Sequence, residues 1–222
     1  MNLVQQQTAK IMYHYLNTFE EDSVCESMLD CQRGLYRFFC DYCELSFWKS
    51  DLTTIFEQVL QDKPSFKVLS PKSIINQGGE FLQLIYIGFY LCQKTQFPPC
   101  PNPSWKELIL KHTRKRTPSL VDRIRLLPHY LSPKEIRDPY LFLKDFYYRR
   151  QCPDWARRWN QLIEEAFTSL TFLEPEDLEE FQGDFQDFHK LLEATYLIYV
   201  RHFNPEKPPG YDSFFLRYPV MF

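Results

Sequence analysis

Phe81-Leu-Gln-Leu-Ile-Tyr-Ile-Gly-Phe-Tyr-Leu-Cys92 is the stretch on which the fold class turns. Its one strongly polar side chain is Gln83, so a helix here has no face suited to water. A helix that is apolar all round is enclosed either by other helices or by lipid. The segment rises about 18 Å as a helix, against roughly 30 Å of hydrocarbon in a bilayer, which excludes a membrane span on length. The expectation is an all-α, multi-helix globular bundle around a buried central helix at about 80–94.

Composition agrees with that expectation. The 222 residues carry 6 glycines against 17% aromatic residues. So few glycines leave few left-handed positions for tight hairpins, which disfavours an all-β fold. A 44% hydrophobic and 25% charged chain of this length buries a core as a single domain, 1–222. The weakest point for a boundary is the stiff Pro98-Pro-Cys-Pro101 connector within 97–103. The proline-rich and apolar tail, 204–222, is expected to pack on the surface of the bundle as an extended strap.

Working outward, helix starts are marked by a capping side chain followed by proline. Ser70-Pro71, Asn102-Pro103, Thr117-Pro118, Ser132-Pro133 and Asp138-Pro139 fit this pattern, with Glu174-Pro175 a weaker case. Proline lacks the N–H that would be unpaired at the first helical position, and the preceding oxygen accepts from the next turn. Helices are predicted near 71–77, 80–94, 103–116, 118–127, 133–137, 139–150, 153–169 and 175–203. Upstream, a first helix is expected over 3–19, and Ser23-Val-Cys-Glu26 reads as a capping box that starts a second, running to about 48. Asp51 can cap a third, ending before Pro64. On the last helix, Leu178, Phe181, Phe185, Phe188, Leu192, Tyr199 and Phe203 form an apolar side, with Glu176, Glu179, Glu180 and Asp187 opposite.

Several chemistries find little support. The N-terminal residues show no basic region, apolar run and cleavage site of a secretory signal. Seven cysteines in a chain too large to need a disulfide framework suggest a reducing, cytoplasmic setting. Cys40-Asp-Tyr-Cys43 has the CxxC spacing of metal and redox sites, but no second CxxC accompanies it and it falls in a helical pattern. Buried apolar cysteine is the better reading. His189 and Glu193, four apart on one helix, read as surface support. No HExxH, phosphate-binding loop or nucleophile elbow is present. No catalytic, cofactor-binding or metal-ligating residue is therefore assigned, and no cofactor is expected.

Charge supplies the one functional lead. Net charge is −3, yet residues 106–158 hold 14 basic and 6 acidic side chains while 159–222 hold 4 and 12. Lys111, Arg114, Lys115, Arg116, Arg123, Arg125, Arg149, Arg150, Arg157 and Arg158 are the candidate nucleic-acid or anion contacts. Guanidinium groups beside Tyr147, Tyr148, Trp155 and Trp159 could hold phosphates while rings stack on bases. The competing account pairs these cations with helix C-termini, or with the acidic block 174–187 inside the fold. The expected function is a non-catalytic interaction or regulatory module that binds a protein partner, without membrane insertion. The alternative is a nucleic-acid-binding accessory protein using 106–158, and the third is an enzyme whose site is assembled from scattered residues.

Overall fold

The computed structural model describes residues 25–61, 63, 65–104, 124, 126–168, 175–203 and 206–211. Within them the chain is all helical, with seven α-helices packed together and no strand. They are α1 (Met28–Tyr36), α2 (Leu45–Val59), α3 (Pro71–Lys94), α4 (Pro133–Arg137), α5 (Pro139–Arg149), α6 (Cys152–Glu165) and α7 (Pro175–His202). A π-helical turn, Arg37–Tyr42, continues α1 towards α2. The expected helix over 3–19, and those over 103–116 and most of 118–127, lie outside the described residues.

The capping rule accounts for three starts in atomic detail. Ser70 accepts from the Ser73 N–H at 3.1 Å, and Asp138 from the Tyr140 N–H at 3.2 Å. Ser132 and Glu135 form a reciprocal capping box, with the Ser132 N–H donating to Glu135 at 2.6 Å. At α1 the capping residue is Ser27, which accepts from Asp30 N at 3.2 Å; Ser23 lies outside the described residues. The single helix expected from there to 48 is instead split at Cys43 and Glu44, both extended, before α2 begins at Leu45.

Residues 71–94 form one uninterrupted helix in place of the two expected over 71–77 and 80–94, and Gly78-Gly79 lies within it. The reason is helix–helix approach. Trp159 of α6 donates its indole N–H to the Gly78 carbonyl at 2.8 Å, and a Cβ on Gly78 would stand 3.1 Å from Ile163. Gly88 similarly admits the Tyr147 hydroxyl, which donates to the Ile85 carbonyl at 2.6 Å. Helix α3 thereby packs on α1, α5, α6 and α7, while Gln83, Tyr86, Phe89 and Tyr90 keep partial exposure. Burial on every side is most complete along 191–199 of α7, where each residue is buried.

The core is aromatic, centred on Phe188. Its ring meets Phe56, Phe81, Phe146, Trp155 and Trp159 with centroids 5.1–6.3 Å apart. Edge-to-face contacts of this kind add stabilisation beyond burial. Each buried indole N–H is satisfied by a carbonyl: Trp48 by Phe38, Trp155 by Phe146 and Trp159 by Gly78, each at 2.8 Å. From the tail, 206–211 lies against α1 and the π-turn. Arg33 donates to the Pro209 carbonyl at 2.7 Å, Tyr211 donates to Asp41 at 2.9 Å, and the Tyr211 ring meets Tyr36 edge-on. Residues 212–222 lie outside the described residues.

Candidate functional site: the arginine seam and the outer face of α5

Lys111, Arg114, Lys115, Arg116, Arg123 and Arg125 lie outside the described residues. The other four candidates cluster where α5 turns into α6. Helix α5 ends as the Arg150 N–H reaches back to the Phe146 carbonyl at 3.4 Å, and Arg150 and Gln151 are extended before α6 starts. This corner aims Arg149, Arg150 and Arg158 at α7. On that helix Glu180, Asp184 and Asp187 recur at four and three residues, so they share one face.

The pairing is dense. Arg149 holds Asp187 with both terminal nitrogens, at 2.6 and 2.9 Å, and Asp145 through Nε at 2.9 Å. Arg150 bridges Glu180 at 2.6 Å and Asp184 at 3.0 Å, and Arg158 donates to Asp184 at 2.6 Å. Arg157 is the most exposed of the four and pairs with Asp154 at 2.9 Å. Asp184 keeps only 2% of its side-chain surface, so burial raises its pKa while Arg158 and Arg150 pull it down. The two-nitrogen hydrogen bond to Asp187 raises Arg149. Burial pulls Arg158 down, but Asp184 and its acidic neighbours outweigh that and leave it raised.

Asp184 and Asp187 are thus buried beneath arginines instead of lining the water side of α7. The aromatic neighbours divide in the same way. Trp155 and Trp159 are core residues, Arg150 lies 4.8 Å over the Trp155 ring, and Tyr147 is buried. Tyr148 alone among these four turns outward, at 87% exposure. With Leu141, 48% exposed and seven residues earlier, it marks the outer face of α5, with Lys144 and Asp145 between them.

Two buried carboxylates escaped sequence reasoning. Glu193, expected as half of a surface pair, is 1% exposed and accepts from the N–H groups of His129, Tyr130 and Leu131 at 2.7, 3.0 and 3.2 Å. Lys49 of α2 completes its shell at 2.7 Å. His189, also buried, shares hydrogen bonds with the Phe185 carbonyl and the Thr53 hydroxyl between the rings of Tyr130 and Phe185, and burial lowers its pKa. The available signal was a lone Glu in the apolar run 191–200. Glu80, beside Gly78-Gly79, pairs with the buried Arg37; burial pushes it up to about 7 against the downward pull of Arg37.

Cys40 and Cys43 lie in and just after the π-turn, and burial raises both thiols to about 12. Cys40 is 3.2 Å from the Tyr199 hydroxyl. Among the described residues no three His, Cys, Asp or Glu side chains are grouped to hold a metal ion. Nor is any helix among them long and apolar enough to cross a membrane. No protein-family model, curated protein or solved structure matches the chain.

Proposed function

We propose that the chain is a non-catalytic helical interaction module, and that the outer face of α5 receives a protein partner. The observation that carries this reading is the exposure of Tyr148 and Leu141 two helical turns apart on one rigid element. An exposed tyrosine offers large contact area with little side-chain entropy to lose, which is why such residues dominate interface energetics. The neighbouring arginines favour a protein over a nucleic acid. Arg149, Arg150 and Arg158 already hold carboxylates, so a phosphate ligand would have to displace Asp184 and Asp187 from partly buried pairs.

The test places a photo-reactive phenylalanine analogue at position 148 of the full chain, identifies the cross-linked protein and reconstitutes the pair from purified components. Tyr148→Ala is expected to weaken that complex by about tenfold or more, with little change on raising salt from roughly 50 to 500 mM. A low-salt shift of single-stranded or duplex nucleic acid that fades steeply with salt, and is indifferent to Tyr148→Ala, would establish the nucleic-acid reading instead.

A further inference from the structure

Helix α5 turns Leu141, Lys144, Asp145, Tyr148 and Arg149 to water. Arg149 is tied to α7 through Asp187, which leaves four on the outer face. At 3.6 residues per turn these four fall in one stripe, about 100° wide and about 10 Å long. Along it the order is aliphatic, cationic, anionic, aromatic, so the charges sit at the middle and the apolar groups at the ends. Leu141 and Tyr148 keep 48% and 87% of their surface. Lys144 lies 4.7 Å over the Tyr140 ring of its own helix and, among the described residues, forms no ion pair. Asp145 accepts from Arg149 Nε at 2.9 Å through Oδ2, yet 63% of its side chain stays in water.

On the reading that the outer face of α5 receives a protein, we propose that this protein is a second copy of the chain, docked α5 against α5 in antiparallel about a two-fold axis between Lys144 and Asp145. Under that rotation the stripe is its own complement. Leu141 meets Tyr148 of the second copy, Tyr148 meets its Leu141, and each Lys144 meets an Asp145. A parallel arrangement sets Lys144 against Lys144 and Asp145 against Asp145, so the charges select one direction.

The work divides between the ends and the middle of the stripe. The two tyrosine–leucine contacts supply the adhesion, because they exclude water from large apolar groups on both sides. The two ion pairs fix direction and register rather than add much affinity. Four side chains on an 11-residue helix make a small interface, so the dimer is weak, with a dissociation constant on the order of 100 µM.

The experiment sediments the purified full chain at concentrations from roughly 10 µM to 1 mM, which bracket that constant. A monomer–dimer equilibrium is expected, weakened about tenfold or more by Tyr148→Ala. Lys144→Glu and Asp145→Lys should each weaken it by about tenfold, since either change makes both central contacts like-charged. An equal mixture of those two variants should regain the dimer, because each contact then joins opposite charges again. A second measurement needs no charge variant. A chain carrying a photo-reactive phenylalanine analogue at position 148 is mixed with heavy-isotope-labelled natural chain, and should join the labelled peptide 138–144, which holds Leu141 and which trypsin frees from 145–149. A chain that stays monomeric at about 1 mM would overturn the second-copy assignment. So would a dimer indifferent to Tyr148→Ala, a cross-link to a peptide other than 138–144, or charge variants that associate no better mixed than alone. The wider reading of α5 fails on a different result, a probe at 148 that joins no protein at all; a monomeric chain whose probe joins a different protein overturns the second copy only.

Discussion

Two corners of this molecule are built on one plan. Where the π-turn leads into α2, Trp48 stacks on Phe38 with centroids 4.0 Å apart and planes at 5°, and its indole N–H satisfies the Phe38 carbonyl. Where α5 leads into α6, Trp155 stacks on Phe146 at the same distance and angle and satisfies the Phe146 carbonyl. In both, the chain must leave a helix and reverse, freeing a carbonyl inside the core, and a tryptophan from the next helix covers it with ring and donor together. The surroundings differ. The first corner buries one arginine, Arg37, against one glutamate, Glu80, with 3% and 4% of their side chains exposed. The second spreads Arg149, Arg150 and Arg158 over three α7 carboxylates at the edge of the core. The comparison shows that the aromatic clamp makes the turn, and that charge only decides how the turn is attached to the rest.

The largest effects should therefore be equal at the two corners. Trp48→Ala and Trp155→Ala are each expected to cost about 3–5 kcal/mol in chemical denaturation, since both rings are fully buried. A difference of several kcal/mol between them would break the equivalence. Charge substitutions should separate the corners instead. Arg37→Met leaves Glu80 buried beside a lost partner and is expected to cost about 3–5 kcal/mol. Arg150→Met, at a position that water reaches and whose buried partner Asp184 keeps Arg158, should cost about 1 kcal/mol or less. Equal losses would show that the second corner is as charge-dependent as the first.

A smaller effect distinguishes the corners by pH. Burial raises Glu80 from 4.5 to about 7, so the folded chain holds a proton that the unfolded chain has released. Its contribution is fully present below about 4.5 and is lost as pH rises through about 7, because in that window the native state binds more protons than the unfolded one. The stability of the natural chain relative to Glu80→Gln should fall across this window by about 2–3 kcal/mol, measured by denaturant titration at each pH. A relative stability that is flat or rises with pH would contradict the burial account of Glu80.

The fold class was legible because proline after a capping side chain and a long apolar segment are local signals. Ser70, Ser132 and Asp138 act as they read. What local signals could not carry was a contact made elsewhere. Gly78-Gly79 looks like a break until Trp159 and Ile163 arrive from α6. Pairing of the basic segment with the acidic block of α7 was one of two readings of the charge pattern, and which carboxylates it buries was set by the α5–α6 corner, while Glu193 looks like surface until the loop at 129–131 places three N–H groups on it. The rich arginine and aromatic content of 147–159 was visible, but its division into core rings, paired cations and one outward tyrosine is a property of the corner.

The claim on which this account depends is that Arg149, Arg150 and Arg158 attach α5 and α6 to α7. A double-mutant cycle on Arg158 and Asp184, comparing Arg158→Gln, Asp184→Asn and the pair by equilibrium denaturation, tests it most directly. The 2.6 Å bond to a carboxylate with 2% of its surface exposed predicts a coupling of about 1–3 kcal/mol. Strictly additive losses would mean that the two side chains do not hold each other in solution, and that the seam is open to an external ligand.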